Sequence, residues 1–361
     1  MINPFIKISE KGTKYVSQVS SLNKLVIKKL PLYGIEDEIE GKTAEEIFSV
    51  KTILKEIENK KIKFENIDNN HKANCIKELL QQTKSENELV AIEAENLFKQ
   101  FGYRLGLIFL TLKLGEKQNQ LERSDWTEKM WGYWANTKDV ILVGGLAGGE
   151  IGEKLISYAL NIFKKANIEP YNFILFENAS TVGVMGCATK IKNENCTSLV
   201  LDFGHTNIKK SLVKKVDGEI QAVIDLPHIK SEYVDKEFLQ ENNNIEQAQK
   251  LHKFLLNTIA NAYINESKTQ ELSNEIVISI ANYVVDGKLD NVRGGYAKLA
   301  LLTNNSEEII TEELSGVLKK KIKVTLIHDA TAVAMYFQAY ENAICVTIGT
   351  AFGVSFTGQK F

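Results

Sequence analysis

Three short apolar segments of this chain end in glycine-bearing turns. The turns cover residues Gly144–Gly149, Asp202–Thr206 and Gly349–Gly353. Each apolar segment has the length and composition of a buried strand, and segments with helical periodicity lie between them. Because strand and helix patterns alternate in both halves of the chain, we predict an α/β fold.

Amphipathic patterns predict the helices that would cover these strands. We expect one helix over residues 43–61, with a capping box from Thr43 to Glu46. A second capping box, Ser85 to Glu88, is expected to open a long helix that reaches Leu114. Further helices are predicted around residues 151–163, 179–191, 246–267 and 330–337.

Composition argues against several classes of protein. The chain has 361 residues, of which 44% are hydrophobic and 25% charged, with a formal net charge of −2. This balance gives no reason to expect a nucleic-acid partner. The four cysteines are scattered without a C-x-x-C pair, so we expect no zinc site or disulfide framework and a cytoplasmic location. We see no secretory signal or membrane-spanning segment, and expect no membrane partner.

The glycine turns are candidate phosphate sites. Glycine allows backbone N–H groups to converge on an oxyanion, and a threonine hydroxyl such as that of Thr206 or Thr350 adds a further donor. Neither the G-x-G-x-x-G fingerprint nor a Walker-type motif occurs in the chain. Each turn taken alone is weak evidence and is more readily explained as an ordinary tight turn.

Asp329 is a candidate catalytic residue. It lies between the apolar segment "KVTLIH" and the helical segment "ATAVAMYF". An aspartate here is explained as a helix N-cap, or as a general base at the carboxyl end of a strand, where α/β sheets bind ligands. The two roles are compatible.

In combination these segments resemble the ROK sugar kinases of the actin/hexokinase superfamily. "LDFGHTNIK" and "VTIGTAFGV" resemble that family's two phosphate motifs, and "ILVGGLAGGEIGEKL" its adenosine motif. "IHDATAVAM" is similar to the segment that carries the family's catalytic aspartate, and "GVMGCATKI" to the helix that ends its chain. "GIEDEIEGKTAEEIF" is similar to a segment with a sugar-contacting glutamate, which is Glu36 here.

The order of these motifs differs from the order in the family, where the first phosphate motif opens the chain. The resemblance therefore implies a two-lobed actin/hexokinase-like (ribonuclease H-like) fold in circularly permuted order. We predict one lobe over residues 1–196 and a second over 197–340, with 341–361 forming a phosphate hairpin that packs back on the first lobe. Joining the former termini is plausible because chain ends often lie close together on a compact domain.

The resemblance implies an ATP-dependent phosphotransferase of carbohydrate metabolism, with ATP and Mg²⁺ as cofactors and a sugar-like hydroxyl as acceptor. It implies that Asp329 is the general base and that Asp202 orients Mg²⁺ through water. The implied nucleotide contacts are Gly204, Thr206, Gly349, Thr350, Gly353, Gly144, Gly145, Gly148 and Gly149. The expected substrate contacts are His328 and Glu36, and Asn282 is a further candidate that a surface turn explains as well.

Departures from the family pattern leave alternatives open. The family's glutamate-x-glycine-histidine sugar motif is not recognisable, and His328 replaces an asparagine that usually precedes the catalytic aspartate. One alternative is a non-catalytic regulator that binds nucleotide or sugar. Another is an ATPase or assembly protein of the same superfamily that needs no sugar acceptor. A third is an unrelated α/β enzyme, and a homodimer is left open.

Overall fold

The computed structural model describes residues 2–35, 37–60, 72–176, 181–234, 245–292, 294–359 and 361. Its strands are β1 (Ile6–Ile8), β2 (Lys14–Val16), β3 (Asp139–Val143), β4 (Asn172–Leu175), β5 (Cys196–Phe203), β6 (Asn207–Val216), β7 (Glu219–Lys230), β8 (Glu275–Ile280), β9 (Val284–Val285), β10 (Lys288–Leu289), β11 (Lys323–His328), β12 (Ile344–Ile348) and β13 (Phe352–Phe356). Its α-helices are α1 (Ala44–Ile47), α2 (Val50–Asn59), α3 (Lys72–Gln82), α4 (Glu88–Leu114), α5 (Lys117–Glu122), α6 (Glu128–Asn136), α7 (Gly149–Ala166), α8 (Val182–Ala188), α9 (Ile245–Glu266), α10 (Ser306–Leu318) and α11 (Asp329–Tyr336).

The chain folds into two compact units. The first contains Met1–Phe5, Val19–Ser180 and Asn342–Val354, and the second contains Ile6–Gln18, Thr181–Glu341 and Ser355–Phe361. The lobes predicted from the sequence, 1–196 with 341–361 and 197–340, divide the chain at other positions. Residues 6–18, 181–196, 341 and 355–361 group with the second unit, where helix α8 packs against α11 and β5.

The second unit is built on a five-stranded sheet with the order β11-β8-β5-β6-β7. Strands β5, β6 and β7 form an antiparallel meander. Strand β8 pairs with β5 in the parallel direction, and β11 pairs with β8 in the same way. A meander followed by two parallel strands that are reached through helices is the arrangement of the ribonuclease H-like fold. The fold is therefore α/β, as predicted.

Alternate side chains of these strands enter two separate cores, as the two-residue period of a strand requires. Leu199, Leu201 and Phe203 of β5 pack into a large apolar cluster with residues of α9 and α10. Val200 points to the other face, where α8 and α11 cover the sheet. The second unit thus has helices on both faces of its sheet.

Helices α8 and α11 approach each other very closely. A Cβ atom built on Gly186 of α8 would lie 1.6 Å from the carbonyl oxygen of Ala332 in α11. Only glycine permits this backbone-to-backbone contact, which explains the glycine at position 186. The contact fixes the position of α11, whose first residue is Asp329.

Strands β12, β3 and β4 of the first unit are parallel, and β13, whose first three residues belong to this unit, completes a four-stranded sheet of order β13-β12-β3-β4. Its longest helix, α4, packs against α7, and Gly102 and Gly106 let the two backbones approach. In the described part of the chain, no helix combines the length and the apolar character needed to cross a bilayer.

Two details of the predicted helices need correction. The helix expected over residues 43–61 is broken into α1 and α2, because Phe48 is extended and Ser49 caps a new helix. The capping box from Thr43 to Glu46 is confirmed. The box predicted at Ser85 is wrong: Asn87 is the N-cap of α4, and the Ser85 hydroxyl accepts a hydrogen bond from the Asn87 N–H instead.

Candidate active site

Two carboxylates of the second unit lie at the same edge of its sheet. Asp202 is next to last in β5, and Asp329 follows the last residue of β11. Both strands run parallel to β8, in which Ser279 pairs with Asp202 on one side and Ile327 on the other. Since the carboxyl ends of parallel strands meet at one edge, residues 127 positions apart in sequence become neighbours there.

The Asp202 carboxylate is held from two sides. The buried Ser279 hydroxyl donates a hydrogen bond of 2.8 Å to Oδ1. The Lys209 ammonium lies 3.7 Å from Oδ2, because Lys209 is the residue opposite Asp202 on the antiparallel strand β6. With 22% of its side chain exposed, Asp202 is a fixed carboxylate that a ligand can still reach.

The glycine turn that follows β5 is braced through its backbone. The carbonyl oxygen of Gly204 accepts hydrogen bonds from the Ser231 hydroxyl at 2.7 Å and from the Tyr296 hydroxyl at 2.9 Å. The Ser231 N–H donates to the Thr206 carbonyl oxygen at 3.0 Å. Thr206 itself is exposed. These contacts fix the turn while the Thr206 side chain faces solvent.

The Asp329 side chain is accessible, and its pKa is raised above the usual value of an aspartate. Its side chain is 41% exposed, and its Oδ1 accepts a 2.7 Å hydrogen bond from the Ala330 N–H. Desolvation by the surrounding protein, and next the negative charge of Asp202, raise the pKa of Asp329 to about 7, against the lowering effect of Lys209. Asp329 can therefore both accept and release a proton near neutral pH.

His328 and Asn282, two of the predicted substrate contacts, are bonded inside the protein. The His328 side chain is 9% exposed and its ring stacks on Tyr283 with 4.4 Å between ring centroids. The buried Asn282 side chain accepts from the Asp290 N–H at 2.8 Å and donates to the Asp290 carbonyl oxygen at 3.3 Å. Both residues thus shape the structure beside Asp329, and their contact with a substrate stays a prediction.

The glycine turn after β3 belongs to the first unit. Gly144 has φ of +100°, and a Cβ there would lie 2.4 Å from the Ile348 carbonyl oxygen, so glycine is required. The Leu146 N–H donates to that same oxygen at 3.3 Å. These contacts place the turn next to the end of β12, where Gly349 follows.

The structure thus sorts the predicted site residues into two groups. The second unit holds Asp202, Gly204, Thr206, Asp329, His328 and Asn282. The first unit holds Gly144, Gly145, Gly148, Gly149, Gly349, Thr350 and Gly353. Glu36 lies outside the described residues. In the first unit Gly148 is the N-cap of α7, and Thr350 is exposed.

Sequence analysis missed several residues of the site. Ser279 is the polar residue inside the apolar strand β8, and that interruption of the pattern was a usable signal. Lys209, Ser231 and Tyr296 meet the phosphate turn only through tertiary contacts, so no local pattern points to them.

The residues present fit a magnesium ion held mainly by water. Within the described ranges, no cluster of three or more His, Cys, Asp or Glu side chains could hold a metal by itself. Mg²⁺ prefers oxygen ligands, keeps several waters and is commonly held by one or two carboxylates together with substrate phosphates. The fixed and accessible Asp202 carboxylate supplies an oxygen donor of that kind.

Comparisons with known proteins add structural matches at low similarity. No protein-family model matches the chain, and no curated protein does. Ethanolamine utilization protein EutJ from Carboxydothermus hydrogenoformans is 13% identical, with 64% of this chain and 75% of that chain covered and a TM-score of 0.32. The type II variant of the Aquifex aeolicus Ppx/GppA phosphatase is 12% identical, with 72% and 87% covered and a TM-score of 0.30. With TM-scores this low, the fold assignment depends on the strand order and directions given above.

Proposed function

We propose that the protein is an ATP-dependent phosphotransferase that acts on a hydroxyl of a sugar-like small molecule. The observation that carries the proposal is Asp329: an accessible carboxylate at the carboxyl edge of the sheet, with a pKa raised to about 7. A base of this kind is matched to neutral pH, where it is partly ionised and still strong enough to take a proton.

In the proposed reaction, Asp329 accepts the proton of the acceptor hydroxyl as that oxygen attacks the terminal phosphorus of ATP. The bond from phosphorus to the bridging oxygen breaks, and ADP leaves with the electron pair. Asp329 then releases the proton to solvent. Its neighbour Asp202 favours the protonated state after transfer, because two negative carboxylates at one edge repel each other.

The remaining residues of the second unit would position the phosphates. The braced turn Gly204–Thr206 would present backbone N–H groups and the exposed Thr206 hydroxyl to phosphate oxygens. Asp202 would hold a water of hydrated Mg²⁺, which when bound neutralises phosphate charge. The nucleotide contacts of the glycine turns in the first unit stay predictions from the sequence.

A second candidate is an ATPase that uses water as the acceptor. The observation in its favour is the state of His328, which occupies a predicted sugar-contact position but is buried and stacked on Tyr283. Hydrolysis would need the same base and the same phosphate turn. The two activities differ only in whether release of ADP depends on an added alcohol.

The test is release of ADP from Mg-ATP, with and without a panel of hexoses, amino sugars and acylated sugars. Acceptor-dependent turnover supports the phosphotransferase, and acceptor-independent turnover supports the ATPase. Asp329→Asn should lower turnover roughly 10²- to 10⁴-fold, which is the usual contribution of a positioned base. Its affinity for ATP should change little.

Asp225→Asn is the matched control. Asp225 lies on β7 of the same unit, where its carboxylate accepts a hydrogen bond from the Ser211 hydroxyl of β6, away from the sheet edge that holds Asp202 and Asp329. Its turnover should equal that of the wild type. Full turnover in Asp329→Asn would refute the role of Asp329. Tight binding of nucleotide without any turnover would instead support the regulatory alternative.

A further inference from the structure

A groove on the surface of the second unit shares no residue with the candidate active site. Residues of helix α9 line one side of it, and residues of strands β6 and β7 line the other. Its volume is about 440 Å³, and pockets that bind ligands typically measure about 300–1,000 Å³. Leu226, Ile229 and Phe254 supply apolar surface inside it. The groove is therefore large enough to hold a ligand.

Three asparagines of α9 line the groove at intervals of four residues. They are Asn257, Asn261 and Asn265, and all three are exposed. Residues four apart lie on one face of a helix, so the three side chains form a row along the groove, which we call the asparagine row. Asparagine is among the weaker helix formers, so the row costs stability within a helix of 22 residues and packs no core in return. This cost indicates a role other than folding.

The amides of the asparagine row can make further hydrogen bonds. The side chains of Asn257 and Asn261 make no hydrogen bond to another of the described residues, and the side-chain oxygen of Asn265 accepts one from Lys268 at 3.1 Å. A primary amide offers two N–H donors and one oxygen acceptor. Each amide therefore matches a ligand group that presents a donor and an acceptor side by side.

The spacing of the row matches the repeat of an extended polypeptide. With a rise of 1.5 Å per residue, successive asparagines lie about 6 Å apart along the axis of α9. Two residues of an extended chain span about 6.4–6.8 Å. The N–H and C=O groups of one residue point to the same side of such a chain, and those of the next residue point to the other side. One edge of the chain thus offers a donor and an acceptor at nearly the spacing of the amides.

The groove also carries one cation and one anion. Lys210 and Glu266 line it, and neither forms an ion pair with another of the described residues. Lys210 follows Lys209, which lies opposite Asp202 near the end of β5. Glu266 is the last residue of α9, which leads to the start of β8 at the other end of the sheet. The positive charge is therefore near one end of the groove and the negative charge near the other.

We propose that this groove binds an extended segment of a partner protein through its backbone. The asparagine row bonds to every second residue of the segment, and the apolar residues of the groove contact its side chains. An acidic residue of the segment lies near Lys210 and a basic residue near Glu266, because this arrangement complements both charges. The proposal does not depend on the proposed function, since it uses none of the residues assigned to phosphate transfer.

The experiment measures binding of a fluorescent heptapeptide to the full chain by anisotropy, without ATP. The peptide alternates valine and threonine, which favour an extended backbone, between an aspartate at one end and a lysine at the other. It is used in both orders, and at least one should bind saturably. Asn261→Ala should weaken that binding about 3- to 10-fold through lost hydrogen bonds. Because alanine is the better helix former, this variant should unfold at no lower temperature than the wild type.

Gln249→Ala is the matched control, because Gln249 is an exposed amide of α9 that does not line the groove. Its affinity for the peptide should equal that of the wild type. Lys210→Glu tests the charges. It should weaken binding of the original peptide about two- to fivefold and strengthen binding of a peptide with lysine at both ends by a similar factor.

Several outcomes would overturn the proposal. The contacts are to the backbone and tolerate many sequences, so failure of both peptides to bind would refute it. Equal binding of a peptide methylated on every nitrogen between its two ends would refute the hydrogen bonds to the backbone. Unchanged affinity in Asn261→Ala would exclude the asparagine row. Displacement of the peptide by the neutral sugar maltotriose at similar concentration would assign the groove to carbohydrate instead.

Discussion

The contact between α8 and α11 leads to a prediction that needs no knowledge of the ligand. Gly186→Ala would place a Cβ atom 1.6 Å from the Ala332 carbonyl oxygen, whereas real Cβ atoms are essentially never found within 3.0 Å of such an atom. The obstructing atom belongs to the backbone of α11, so it cannot rotate away as a side-chain atom could. The two helices must therefore separate by about 1.4 Å.

The cost of this separation can be estimated from overpacking in other cores. Extra methyl groups in a well-packed core typically cost about 1–3 kcal/mol and occasionally more. We expect about 3 kcal/mol or more for Gly186→Ala, because the clash is with backbone and the helices also contact the sheet through Val184 and Ala332. Displacing α11 by more than 1 Å would also move Asp329 and reduce turnover by about 100-fold.

Gly183→Ala provides the matched control in the same helix. No atom of the described residues comes within 4 Å of a Cβ built on Gly183. Replacing glycine by alanine there should stabilise the protein by about 0.5–1 kcal/mol through helix propensity. Urea unfolding of both variants measures the difference. If Gly186→Ala costs less than about 1 kcal/mol relative to Gly183→Ala, the close approach of α8 and α11 is refuted.

Four further predictions concern the site itself. The value of kcat/KM should rise with pH through about 7, because only ionised Asp329 accepts a proton, and a flat profile would contradict this role. The same raised pKa means that the free energy of unfolding of the wild type falls as the pH rises from about 4 to above 7, because ionised Asp329 is less favourable in the folded state. In thermal unfolding, Asp329→Asn should therefore be more stable than the wild type at about pH 8 and similar to it at about pH 3. Tyr296→Phe removes one of two donors to the Gly204 carbonyl oxygen and should cost about 1 kcal/mol of stability and weaken ATP binding severalfold by calorimetry. Ser279→Ala leaves Oδ1 of Asp202 without its buried donor and should cost about 1.5–3 kcal/mol by urea unfolding, whereas Ser279→Thr should retain part of that free energy.

The positions of the strands could be predicted from the sequence because they depend on local pattern. Apolar runs of four to eight residues that are rich in β-branched side chains and bounded by turn residues favour buried strands, as in β3, β5, β11 and β12. Parallel pairing then brings the residues after β5 and β11 to one edge. The pairing of Asp202 with Asp329 was implied only by the resemblance of "LDFGHTNIK" and "IHDATAVAM" to the family motifs, and the parallel strands explain why the two residues lie at one edge.

The placement of residues 6–18 could not be predicted, because it depends on side-chain contacts across the chain. The β1–β2 hairpin belongs to the second unit, where hydrogen bonds from Thr13 and Ser9 lower the pKa of Asp286. Gln18 donates a hydrogen bond to Asp290, the residue that closes the turn with Asn282. The sequence near residue 6 carries no periodic signal for these long-range contacts.

The chemistry of Asp329 lies between these two cases. Its position at the end of a strand follows from local pattern, but its proton affinity is set by burial and by the charge of Asp202, which only the folded sheet supplies. Strands β5, β6, β8 and β11, which form this part of the sheet, come from one continuous span, residues 196–328. The sheet of the first unit instead combines β3 and β4, which precede that span, with β12 and β13, which follow it. Because the carboxylate pair needs only the parallel arrangement of β5, β8 and β11, its chemistry does not depend on whether the remaining segments precede or follow it in the chain. The circular permutation predicted from the motif order would therefore leave the proposed base and its neighbour in place.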